Sequence, residues 1–149
     1  MNRYDWSRLT HLQLGRYAEY FVKMEFTLFG FDVYSAEVDD KGIDFVIRRD
    51  ERYYDVQVKS VRKLNSVFFP KSKSDLHDNL LAAVTIFQPF QPPELYLIPA
   101  VAWYVPDALL VSRDYAGKQS APEWGLNLSQ KNMVLLERFA FDQTVNDLF

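Results

Sequence analysis

The sequence contains no cysteine and only two histidines in 149 residues. A disulfide framework, a thiolate nucleophile and a thiolate metal site are therefore excluded, and a histidine-based zinc site is not expected. Any catalytic metal must be held mainly by oxygen. Long apolar runs are also missing: the most apolar stretch, residues 96–111, is interrupted by Pro99, Pro106 and Asp107, and the N-terminal MNRYDWSRLTHL carries charges where a signal peptide needs an apolar core. A soluble, cytoplasmic protein without membrane contact is expected.

No excess of positive charge is present either, the net charge being −3, but the sum hides an asymmetry. Residues 1–74 hold 13 Lys/Arg against 11 Asp/Glu, a net +2, whereas residues 75–149 hold 4 against 9, a net −5. Lys59, Arg62, Lys63, Lys71 and Lys73 follow one another with no acidic residue between Lys59 and Ser74. Arg62, Lys63, Lys71 and Lys73 are the candidate phosphate contacts; a merely solvated basic loop is the alternative. The acidic second half is a candidate surface for a protein partner.

What is present is ample core material, with 48% hydrophobic and 16% aromatic residues, in a chain the length of one ordinary domain. A single domain over residues 1–149 is expected. Leu14, Ala18, Phe21, Met24 or Val22, and Leu28 recur at three- and four-residue steps, predicting an amphipathic helix over 10–29 with Thr10 as its cap and Gly30 as its stop. Strands are predicted over 31–38, 43–49 and 53–61, joined by the polar turns 39–42 and 49–52. A short helix over 74–79 and buried strands over 80–87 and 94–100 follow, these two joined by the proline-rich QPFQPPE. A helix over 129–139 capped by Ser129 closes the prediction. The order implies an α/β fold with a mixed sheet and helices packed on it. Phe68, Phe69, Phe87, Phe90, Trp103, Tyr104 and Trp124 are read as core rather than as base-stacking groups. His11 and His77 lack a partner at metal-ligand or triad spacing.

If residues 49–52 form a hairpin turn, Asp44 lies opposite Gln57, and side-chain alternation puts Lys59 on the face of Gln57. The other face carries Ile43, Phe45 and Ile47 against Tyr54, Val56 and Val58, which fixes the register, because a slip of one residue would expose that apolar set. A polar cluster of Asp44, Gln57 and Lys59 is thus a consequence of the core pattern.

Glu19 on the first helix, Gly42-Ile43-Asp44 on one strand and Gln57-Val58-Lys59 on the next resemble the PD-(D/E)XK nuclease superfamily, in its Mrr-like QxK variant. The segment from Gly15 to Ser60, about one third of the chain, carries the resemblance. It is also similar to small bacterial restriction-endonuclease-like domains of unknown function and, more distantly, to archaeal Holliday junction resolvases. The resemblance implies a restriction endonuclease-like αβββαβ core and a metal-dependent endonuclease acting on phosphodiester bonds, with DNA as the expected substrate. It implies Asp44 as principal Mg²⁺ ligand, Glu19 and the Val58 backbone carbonyl as further ligands, and Lys59 as the group that orients or activates water, with Mn²⁺ able to substitute. Ile43 stands where the family name has proline. Gln57 replaces the second carboxylate, so metal affinity leans on Asp44 and Glu19. Lys23, one turn after Glu19, offers an ion pair as the alternative to that ligand role. Asp39, Asp40 and Asp55 are read as turn and surface charges, although Asp39 or Asp40 could lie near the metal.

Two other readings remain: a catalytically inactive module that uses the fold to bind nucleic acid or protein, and a subunit of a larger system. A homodimer would supply the two sites that a double-strand cut requires.

Overall fold

The computed structural model describes residues 2–37 and 41–148. Its long helix α1 (His11–Leu28) begins where Thr10 predicts. The Thr10 hydroxyl accepts from the Gln13 N–H while the Gln13 side chain accepts from the Thr10 N–H, a reciprocal capping box. At the other end Gly30 takes φ +87°, and the N–H groups of Gly30 and Phe31 return to the carbonyls of Thr27 and Phe26. This is a Schellman stop, closed by ring contact between Phe26 and Phe31. The buried stripe is Leu14, Ala18, Val22 and Phe26, whereas Met24 and Leu28 face solvent. Four-residue steps from Leu14 decide between the two registers the sequence left open.

Strands β1 (Asp32–Ser35), β2 (Phe45–Arg49) and β3 (Arg52–Val61) form the expected antiparallel meander. Val38, the last residue of the first predicted strand, and Asp39 and Asp40, half of the first predicted turn, lie outside the described residues. After β4 (Ser66–Pro70), the chain returns as β5 (Leu80–Ile86), parallel to β3, and β6 (Glu94–Pro99) pairs antiparallel with β5. The main sheet therefore has the order β1-β2-β3-β5-β6. β5 is buried at every position, as expected of a central strand covered on both faces.

Two expectations fail between β3 and β5. Residues 74–79 form no helix, so the second helix of the expected αβββαβ order is absent, and the crossover runs through β4 and a loop. β4 belongs to a second sheet of order β4-β8-β7, with β7 (Leu110–Arg113) and β8 (Glu123–Asn127). Val67, Phe69, Leu110 and Leu126 of that sheet pack with Ala82, Val84, Ile86 and Ile98 of the main sheet. A sheet thus fills one face of the core. The other face is covered by α1 and by α3 (Phe141–Asp147), through Val22, Phe26, Phe141 and Val145 against Phe45, Ile47, Val56 and Leu81.

The predicted helix over 129–139 is shorter: α2 (Met133–Leu136) passes into a 3-10 turn, Glu137–Phe139. Ser129 caps a turn before it, its hydroxyl accepting from the Asn132 N–H at 3.2 Å. Among the described residues, no helix is long and apolar enough to cross a membrane.

Candidate active site

The polar cluster grows from the register of β2 on β3. Phe45 pairs with Val56 and Arg49 with Arg52, the hairpin expected from the turn at 49–52. Phe45, Ile47 and Val56 are fully buried against the helical layer, which turns Gln57 and Lys59 to the opposite side. At the start of β2 the ladder departs from that register. The Asp44 N–H donates to the Val56 carbonyl at 2.9 Å although Phe45 is the residue paired with Val56. Two successive residues then face one, a bulge-like arrangement that re-aims side chains. Ile43 consequently leaves the buried set to which simple alternation assigns it, and lies beside Lys41, Asp55 and Lys73.

Asp44, Gln57, Val58 and Lys59 line one cleft together with Gly42, Pro70 and Lys73. Asp44 is anchored by the backbone: the Val58 N–H donates to Asp44 Oδ2 at 2.7 Å. In an extended strand the N–H and C=O of one residue point to the same strand edge, so the Val58 carbonyl faces the side that Asp44 occupies. A carboxylate and a carbonyl on one edge are hard oxygen donors of the kind Mg²⁺ takes, and Mg²⁺ retains several waters, so so few protein ligands fit it. Among the described residues, no three His, Asp or Glu side chains gather around a common point that could hold a metal.

Gln57 is buried, and its Oε1 accepts from the Ser74 hydroxyl at 3.2 Å. Gly42 makes room for it. With φ at +73°, Gly42 sits so close that a Cβ there would come within 2.3 Å of Gln57 Nε2. Ser74 carries no signal in the sequence as part of the site; Gly42 stands there only as the first residue of the Gly42-Ile43-Asp44 motif, with no role assigned to it.

Glu19 is engaged on α1, with Lys23 Nζ at 2.9 Å and Arg16 Nη1 at 3.9 Å. Lys23 also reaches Ser35 Oγ at 3.2 Å and lies over the Phe45 ring. The ion-pair alternative for Glu19 is thus the one formed here, next to the start of β2.

The basic run divides. Lys73 lines the Asp44 cleft and the adjoining one with Lys41, Asp55 and His77. Arg62 and Lys63 line a third cleft with His11, Ser60 and Ser66, and Arg62 also donates to the Leu9 carbonyl. Lys71 is turned elsewhere, bonded to Asp114 at 2.6 Å and Ser112 at 2.7 Å and stacked over Trp124. His77 pairs with Asp55 at 3.7 Å. Of the aromatics expected in the core, Phe69, Phe87 and Trp103 are buried and Trp124 partly so, but Phe68, Phe90 and Tyr104 are exposed.

In sequence the chain matches no known family profile and no curated protein. In structure it matches Archaeoglobus fulgidus Hjc, a Holliday junction resolvase from an archaeal hyperthermophile, with a TM-score of 0.55 and 12% identity over 89% of this chain and 95% of that one. A bacterial homing endonuclease matches with a TM-score of 0.50 and 16% identity, over 87% of this chain and 95% of that one. The chain has the restriction endonuclease-like fold. Within that α/β fold, the Asp44 cleft lies where the β2–β3 hairpin opens beside β4.

Proposed function

We propose that this chain is a Mg²⁺-dependent endonuclease that hydrolyses phosphodiester bonds in DNA, as a member of the PD-(D/E)XK superfamily. The observation that carries the reading is the backbone-held Asp44 carboxylate sharing one cleft with the Val58 edge, Lys59 and Lys73. Asp44 and the Val58 carbonyl are the assigned metal ligands, with Glu19 as a further one if it exchanges Lys23 for the metal. A metal bound there would polarise the phosphate and lower the pKa of the attacking water.

The chain's own groups do the rest. The Val58 N–H fixes the plane of the Asp44 carboxylate, which removes the cost of orienting it on binding. The Lys59 ammonium hydrogen-bonds the attacking water or a non-bridging phosphate oxygen and balances charge that develops in the transition state. Lys73, at the rim shared by two clefts, holds a neighbouring phosphate, and Arg62 and Lys63 hold the strand further along. Gln57, uncharged and bonded to Ser74, steadies the wall of the site.

That uncharged Gln57 also favours a second reading, a nuclease-fold module that binds nucleic acid or a protein without cutting. One experiment separates the two. The wild type, Asp44→Ala and Lys59→Ala proteins are incubated with supercoiled plasmid, linear duplex, single-stranded DNA and RNA in Mg²⁺, Mn²⁺ or EDTA. Metal-dependent cleavage by the wild type alone supports the nuclease and identifies the substrate class. Retention of nucleic acid in EDTA without cleavage in either metal supports the binding module.

A further inference from the structure

We propose that Phe68 is a stacking platform for an unpaired nucleobase next to the cleaved bond, so that the preferred substrate is single-stranded or branched at the site rather than continuous duplex. The inference rests on the nuclease reading of the Asp44 cleft and names its substrate class.

β4 alternates exposed and buried positions, so Phe68 and Phe69 project to opposite faces. Phe69 is core, at 3% exposure, whereas Phe68 is 52% exposed. Lys59 Nζ lies 5.9 Å from the centre of the Phe68 ring and 5.4 Å from that of Phe69. An ammonium near two rings on opposite faces must sit at the strand's edge, and β4 is the edge strand of its sheet. The exposed ring therefore borders the group assigned to the scissile phosphate.

The opposite flank is shaped as well. Phe68 pairs with Gly125 of β8, where a Cβ would come within 2.4 Å of Arg113 Nη1 and 2.7 Å of Val111 Cγ2. Arg113 thus lies across Gly125 on the outer face of the sheet that carries Phe68, held by Glu123 at 3.4 Å. An aromatic ring with a lysine on one side and an arginine on the other offers both components of single-strand binding, a π-face for a base and cations for the phosphates beside it. A nucleotide whose phosphate meets Lys59 carries its base within reach of Phe68. In continuous duplex that base is already stacked between its neighbours, so the contact requires a base that is unpaired or turned out.

Binding is measured in EDTA, which prevents cleavage, with a labelled 20-mer as single strand, as blunt duplex and as a fork, for wild type, Phe68→Leu and Phe68→Trp. Phe68→Leu should weaken binding to single strand and fork by roughly tenfold or more, with duplex affinity unchanged. Phe68→Trp should keep the affinity, and the fluorescence of its indole should fall when the single strand binds. Equal affinities of wild type and Phe68→Leu for all three ligands would overturn the proposal, as would an equal loss on duplex and single strand. Metal-dependent cleavage of single strand and fork untouched by Phe68→Leu would sink the stacking role and leave the nuclease standing; Phe68-dependent single-strand binding by a protein that cuts nothing would do the reverse. Self-association lost in Phe68→Leu, with no binding to any oligonucleotide, would overturn both.

Discussion

The backbone N–H of Val58 donates to Asp44 Oδ2 across 2.7 Å, so the central carboxylate of the cleft is also a structural acceptor. Asp44→Ala removes both roles: cleavage should be lost, and stability should fall by about 1–3 kcal/mol as a partly buried N–H loses its acceptor. Asp44→Asn keeps an acceptor oxygen without the charge. It should melt close to the wild type and still fail to cleave, and equal losses of melting temperature in the two variants would show that the hydrogen bond carries no stability.

Gly42 should tolerate no side chain. At φ +73° an alanine costs about 1–2 kcal/mol from the backbone alone, and its Cβ meets the buried amide of Gln57. Gly42→Ala should therefore lower stability by more than the backbone cost and disturb cleavage with it. Adding Gln57→Ala removes the clash and leaves only the left-handed backbone to be overcome. A double-mutant cycle by chemical denaturation should show the two changes to be coupled, and simple additivity would contradict the close approach.

Lys71 and Lys73 are two residues apart and should behave differently. Lys73 lines the cleft, whereas Lys71 is tied to Asp114 and Ser112 over Trp124. If Lys73 contacts a phosphate, Lys73→Ala should weaken nucleic-acid binding and reduce the slope of log affinity against log salt by about 0.7–0.9. Lys71→Ala should leave that slope unchanged. Titrations at four salt concentrations distinguish the two, and equal slopes for both variants would overturn the assignment.

The parts of the fold written in local chemistry were legible. Thr10 and Gly30 bounded α1, and the alternation around residues 49–52 gave the β2–β3 register and the shared face of Gln57 and Lys59, whereas Asp44 joins them through the bulge-like start of β2, which puts it against Val56 and Val58 instead of opposite Gln57. What escaped depended on contacts distant in sequence. β4 looked like a basic loop because its partner is β8, nearly sixty residues away, and Val67 and Phe69 are apolar only on the face that meets the main sheet. Residues 74–79 form a loop instead of a helix: Ser74 is buried against Gln57, and His77-Asp78-Asn79 make a turn closed by the Leu80 N–H on the His77 carbonyl. The exposure of Phe68 was hidden for the same reason, since it follows from which face of β4 meets the core.

Acid should weaken the corner where Asp107 ties β7 to the C-terminal segment. Burial pushes this carboxyl up, but the N–H groups of Leu110 and Leu109 and the Arg138 guanidinium outweigh it and hold it below its ordinary value of 3.8. Both N–H groups donate to Asp107 Oδ1 at 2.8 Å, and Arg138 reaches Oδ2 at 2.5 Å. A group whose folded pKa is depressed contributes stability that is fully present above its unfolded pKa and is lost as pH falls through the folded one. The contribution of Asp107 should therefore be constant near neutrality and decline below about pH 4. Asp107→Asn retains an Oδ1 acceptor for the two N–H groups but cannot titrate or pair with Arg138. Its stability should be lower than that of the wild type at pH 7, and the difference should narrow toward pH 2; urea denaturation at pH 7, 4, 3 and 2 measures this, and a gap that stays constant with pH would remove Asp107 from the acid response.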